Sequence, residues 1–188
     1  MRLFYVFFTI IILQRLCEMI IAKRNEKWMR KNGAQEFGQN HYPLIVFIHT
    51  MFFIVFFLEV YIWQNGLSPV WPIVLSIFMM TQLIRVWVIT SLGRYWNTKI
   101  IVLPGAKMVN KGPYQFLKHP NYLVVTIEFI VIPLMFEAYF TAFFFSLLNG
   151  IILRIRIAAE EKALYQLTGY SRSNGLNQKW KIKGVKKV

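Results

Sequence analysis

Two short clusters in this 188-residue chain hold residue types that can do chemistry together. The first is Lys111-Gly112-Pro113-Tyr114-Gln115-Phe116-Leu117-Lys118-His119-Pro120-Asn121-Tyr122, a basic, turn-rich connector that ends in a His-Pro step and feeds into apolar sequence. Proline suits the first helical position, where a missing N–H costs nothing. His119 then falls at the positive end of a helix, among backbone N–H groups with no intrahelical partner, a place that suits an anion such as a carboxylate. The second cluster is Arg154-Ile155-Arg156-Ile157-Ala158-Ala159-Glu160-Glu161. On a helix Arg156 and Glu160 share one face, while Arg154, Ile157 and Glu161 share another. The adjacent glutamates point about 100° apart and need not serve one partner. Carboxylates this close raise each other's pKa unless cations neutralise them; Arg156 is one cation, and a ligand ammonium would be a second. Spacing leaves open whether Arg154 or Arg156 turns toward a site. Taken singly, each cluster has a plainer reading: a helix cap beside a membrane surface, and a charged collar where a span leaves the bilayer.

The elements that must position these clusters are set by composition. The chain is 56% hydrophobic and 17% aromatic, with a mean hydropathy of +0.45. Only 16% of residues are charged, against about 25% in ordinary soluble domains. A net charge of +14 invites nucleic-acid binding, but the apolar runs are too long for a soluble binder. The single cysteine, Cys17, excludes an internal disulfide and any multi-cysteine metal site, and no metal centre is expected. The reading is one all-α integral membrane domain over 1–188, with a three-span region at 1–92, a region at 93–167 that holds both clusters and a basic tail at 168–188.

Residues 3–22 begin with an apolar run preceded by Arg2, but no small-residue cleavage site follows, so they are read as a retained span. Arg15 and Glu18, three apart on it, can pair and pack the span against its neighbours. Residues 23–41 are expected to form a hairpin loop or a short surface helix. The second span, 42–63, holds His49, expected to be hydrogen-bonded packing, and Glu59. The third, from about 70 to 92, holds Arg85, placed where snorkelling to the nearby basic loop would suffice. Two shorter runs, 122–136 with Glu128 and Pro133, and 139 to about 155, are expected to form a tight and kinked helical hairpin. The second of them continues as a helix to about Leu167.

About five transmembrane helices therefore alternate, and charge orients them. Segments 23–41, 93–120 and 157–188 hold 17 of the 22 basic residues, whereas 64–69 and 137–138 hold none. The positive-inside rule puts the three basic segments, and with them both clusters, in the cytoplasm and the amino terminus outside. Topology and anionic lipid then explain the charge without nucleic acid.

In combination, the clusters resemble the isoprenylcysteine carboxyl methyltransferase family, and more closely its short bacterial members linked to polyketide alkylpyrone methylation. The resemblance rests on Gly112-Pro113-Tyr114, Lys118-His119-Pro120-Asn121-Tyr122, Pro133-Leu134 and Arg156 through Glu160-Glu161. Arg15-Leu16-Cys17-Glu18, Arg24-Asn25 and His41-Tyr42-Pro43 look like the bacterial subgroup. It implies S-adenosylmethionine as methyl donor, wrapped by Val109, Gly112, Tyr114, His119 and Tyr122. His119 would hold the methionine carboxylate and Glu161 the ammonium. Arg156, held by Glu160, would orient the methyl acceptor, a lipophilic acid or enol entering sideways from the lipid of a bacterial cytoplasmic membrane. Lys118 stands where the family commonly has arginine, which keeps the charge and loses the bidentate fork. Two other classes fit the composition: an NADPH-dependent membrane reductase of the sterol type, and a non-enzymatic lipid-binding membrane protein. The first should carry extra basic contacts for a 2′-phosphate; the second leaves both clusters without a purpose. The sequence names no protein partner.

Overall fold

The computed structural model describes residues 1–106 and 108–168; the basic tail beyond them lies outside the described residues. Five α-helices dominate: α1 (Arg2–Lys31), α2 (Tyr42–Trp63), α3 (Trp71–Leu92), α4 (Pro120–Leu134) and α5 (Tyr139–Thr168). Prolines sit in the first turns of α2, α3 and α4, where the ring fits. Two three-residue strands, β1 (Gln35–Phe37) and β2 (Ile100–Val102), pair antiparallel with Glu36 opposite Ile101.

Four helices, α1, α2, α3 and α5, are long and apolar enough to cross a membrane. The expected fifth span, α4, has 15 residues, about 22 Å of helix against a hydrocarbon core of about 30 Å. It packs between α3 and α5 and buries Val124, Glu128, Phe129, Val131 and Ile132, so protein rather than lipid covers much of it. Many large apolar side chains on the long helices are exposed, among them Val6, Ile10, Phe47, Ile73 and Phe143, which is the outward-facing surface a lipid solvent favours.

The helices alternate in direction. At one end Glu59 of α2 caps the start of α5, accepting from the backbone N–H of Phe140 at 3.0 Å and of Thr141 at 2.8 Å. A carboxylate there satisfies N–H groups that no helical carbonyl can reach. Phe4, Phe52, Phe56, Phe129 and Phe136 fill the core below, with Phe4 edge-on to Phe56 at 5.4 Å and to Phe136 at 5.1 Å.

At the opposite, basic end the chain folds otherwise than expected for 23–41. Instead of a loop or separate surface helix, α1 continues to Lys31 and a turn leads into β1. Glu26 and Glu36 hold this end together through Lys99, at 2.9 and 3.5 Å, and both also pair with Arg30. Those carboxylates, Glu26 above all, hold the Lys99 ammonium above its ordinary pKa. Asn25 donates to the carbonyls of Gly93 at 3.1 Å and Trp96 at 2.8 Å, and Asn97 donates to the Ala22 carbonyl at 3.1 Å. The loop after α3 is thus tied to α1, far away in sequence.

Arg85 also departs from expectation. It is 4% exposed and does not snorkel. Its Nη1 lies 2.8 Å from Glu18 on α1, its Nε lies 2.9 Å from Glu128 on α4, and its Nη2 pairs with Glu128 as well. Arg15 joins both glutamates at 2.8 Å, and the amides of Gln14 and Gln82 close the network. Two arginines and two glutamates balance inside the bundle, as buried charge requires.

Candidate functional site

His119 is the residue before α4, and Pro120 opens that helix, as the His-Pro step implies. The side chain is 15% exposed. Its Nε2 donates to Glu161 at 3.2 Å, its Nδ1 lies 3.9 Å from Glu160, and its ring stacks on Tyr122 with centroids 5.4 Å apart. Glu161, expected to meet a ligand ammonium, here accepts from both His119 and Lys118.

Arg156 and not Arg154 faces inward: Arg154 is exposed and Arg156 is 8% exposed. Arg156 and Glu160 share a helix face, but among the described residues no ion pair joins them. Tyr122 stands between them. Arg156 Nε donates to its hydroxyl at 3.0 Å, and that hydroxyl donates to Glu160. Arg156 also donates to the Thr98 carbonyl, which pulls the guanidinium toward the loop after α3. The pairing is a relay of two hydrogen bonds, and Tyr122, expected among the cofactor contacts, is its middle member.

Two cavities meet at this relay. One, about 680 Å³, runs among α1, α2, α4 and α5 and is lined mainly by apolar side chains such as Phe8, Phe53, Val125 and Ile152. The other, about 180 Å³, lies at the basic end and is lined by Val109, Tyr114, Lys118, His119 and Glu160. Trp96, Asn97, Asn121, Tyr122 and Arg156 line both. Burial, with Glu160 nearby, holds the Tyr114 phenol above its ordinary pKa, so it stays a donor at neutral pH.

Gly112 lines neither cavity. Its φ is +58°, and a Cβ there would stand 2.1 Å from Ser91 Oγ and 2.9 Å from Trp87 Nε1 on α3. Its place in the site is therefore indirect: it lets the connector lie against α3 and sets where Tyr114 and His119 fall. Gly112→Ala is expected to lower the unfolding midpoint in detergent, because the left-handed conformation alone costs about 1–2 kcal/mol for a residue with a Cβ, before the clash with Ser91 is relieved.

Sequence reasoning assigned no role to Trp96, Asn97, Thr98 or Asn121, nor to Asn25 and Tyr42, which support them. Tyr42 reaches Thr98 Oγ1 at 3.4 Å. Asn25, Tyr42 and Asn121 stand among the residues that carry the family resemblance, which is the signal the sequence offers for them.

The model of the isoprenylcysteine carboxyl methyltransferase (ICMT) family matches residues 74–166, a stretch that contains Arg85, the connector, α4 and the Arg156–Glu161 segment. The uncharacterized protein YpbQ of Bacillus subtilis is 44% identical over 164 residues, covering 87% of this chain and 98% of that protein. An uncharacterized protein of Haemophilus influenzae is 27% identical over 161 residues, covering 85% and 94%.

Proposed function

Because the chain belongs to the isoprenylcysteine carboxyl methyltransferase family, we propose that this integral membrane protein is an S-adenosylmethionine-dependent O-methyltransferase acting on a lipophilic acid or enol. The observation that carries the reading is the meeting, at the Tyr122–Arg156 pair, of a large apolar cavity with a smaller one whose wall also carries Lys118, His119 and Glu160. The smaller chamber at the basic end, with ionisable groups set in a largely apolar wall, suits a water-soluble donor that has a charged end and a flat base. A large apolar chamber among the helices suits a lipid-soluble acceptor.

The residues of the smaller chamber fit the donor by their chemistry. Its amino-acid end carries a carboxylate and an ammonium; the chamber offers His119 and Lys118 for the first and Glu160 for the second, with Glu161 beside it, bonded to His119 and Lys118. The internal bonds of Glu161 to His119 and Lys118 are of the kind such an end group would exchange with. Val109 and Tyr114 offer apolar surface for a base. When bound, S-adenosylmethionine supplies an electrophilic methyl group on a sulfonium. Arg156 then clamps the acceptor's anionic oxygen, and Tyr122, bonded to Arg156 and Glu160, keeps the guanidinium aimed. An acceptor already ionised near neutral pH needs no strong base, so positioning and exclusion of water remain the protein's task. Alignment of this kind supplies up to about 7–11 kcal/mol.

By the positive-inside rule the basic end faces the cytoplasm of a bacterial cell, where the donor is made. In that orientation α4, covered by α3 and α5, forms the fifth crossing together with its flanking turns. An alkylpyrone-type polyketide suits the apolar chamber as acceptor.

Titration of the detergent-purified full chain tests the reading. S-adenosylhomocysteine is expected to bind and NADPH not to. Binding of NADPH alone would favour a membrane reductase, and binding of neither by folded protein would leave a lipid-binding role.

A further inference from the structure

The large cavity contains polar groups that methyl transfer, as proposed, does not use. His49, on α2, lines it. Its Nδ1 lies 2.8 Å from the Ile45 carbonyl. A carbonyl only accepts, so Nδ1 carries the hydrogen, and Nε2 of the neutral ring is left as an acceptor. Among the described residues Nε2 has no hydrogen-bond partner and is not occluded. Arg15 lines the same cavity, with its side chain 23% exposed. One Nη binds Glu18 and the other Glu128, each at 2.8 Å, which leaves further N–H groups of its five-donor fork. Both approach the same turn of α4: His49 packs edge-on against Phe129 at 4.9 Å, and Arg15 pairs at 2.8 Å with Glu128, the residue before it. Phe129 follows Tyr122 by seven residues on α4, about 10 Å along the helix.

We propose that His49 and Arg15 form a second recognition point in the acceptor chamber, for a hydroxyl group on the lipophilic body of the acceptor about two helical turns from the reacting oxygen. A hydroxyl donates to His49 Nε2 and accepts from Arg15, which satisfies both. A carboxylate could not donate to Nε2, and an ammonium would be repelled by Arg15. A plain alkyl chain would displace water from both groups and return nothing, and leaving polar groups unmet in an apolar cavity is costly. The proposal rests on the methyltransferase reading only in taking the large cavity as the acceptor's chamber.

Equilibrium binding of two radiolabelled probes to the full chain in detergent tests it: octadecanoic acid, and the same acid with a mid-chain hydroxyl. The hydroxylated acid is expected to bind about tenfold more tightly to the wild type, the worth of one buried hydrogen bond. The preference should fall to within twofold in His49→Phe and survive in His49→Gln, whose amide oxygen can still accept. Equal binding of the two acids by the wild type, binding of neither, or a preference that persists in His49→Phe overturns the proposal. S-adenosylhomocysteine binding, read on the same preparations, separates the two ideas. If the wild type does not bind it yet prefers the hydroxylated acid, the methyltransferase reading fails and the recognition point stands. If it binds without any hydroxyl preference, the reverse holds.

Discussion

Arg156→Ala is expected to lower methyl transfer by about a hundred- to thousandfold, the usual cost of removing one fixed donor from a developing or reacting oxygen, with S-adenosylhomocysteine affinity held within a few fold. The split follows from where the guanidinium sits. It is 8% exposed, lines both cavities, and its known bonds go to Tyr122 and Thr98, neither of them charged. A buried cation whose partners among the described residues are neutral is poised to take an anion, and in the proposed reading that anion is the acceptor. In the same reading the ends of the donor are met by His119, Glu160 and Glu161, which remain in the variant. Arg156→Lys should recover part of the rate, because it keeps the charge but cannot donate to Tyr122, Thr98 and the acceptor in one plane. Single-turnover rates and an independent titration of S-adenosylhomocysteine measure the two effects separately. A large loss of donor affinity in Arg156→Ala would exchange the roles of the two clusters.

What the sequence made legible divides along one physical line, local against distant. His119 at the start of α4 could be placed because a proline at the first helical position is a local signal. The continuous helix through Arg156 and Glu161 was equally readable from its neighbours. The relay through Tyr122 was not, because helical spacing says that Arg156 and Glu160 share a face and nothing about a phenol arriving from α4. Arg85 departs from its sequence reading for the same reason. Seen on α3 alone it lies near a basic loop and invites snorkelling, whereas its partners Glu18 and Glu128 belong to α1 and α4. The β1–β2 pair escaped notice because three residues show too little alternation to be told from a loop. Gly112 was matched by motif and assigned to ligand contact, but its reason is a close approach to Ser91 that only the packed structure displays.

Glu128→Leu should be the most destabilising single change in the bundle, by about 3–5 kcal/mol, because it removes one partner of a buried ion pair and leaves the other uncompensated. Glu128 is 2% exposed and meets both arginines: Arg15 at 2.8 Å, and Arg85 through Nε at 2.9 Å as well as through Nη2. Without it, Glu18 alone must balance two guanidinium groups inside the membrane-spanning helices. Removing a second charge should therefore help. In Arg85→Met/Glu128→Leu the remaining charges are Arg15 and Glu18, paired at 2.8 Å and three apart on one helix, with Gln14 still bonded to Glu18. The double variant loses more hydrogen bonds than the single one yet is expected to regain most of the stability, since replacing a whole buried pair by apolar residues of similar size is often neutral. Unfolding in detergent, followed by heat or denaturant, compares the three proteins. If the double variant proves no more stable than Glu128→Leu, the bonds themselves rather than charge balance hold α1, α3 and α4 together, and Arg15 would owe its place beside the cavity to that scaffold alone.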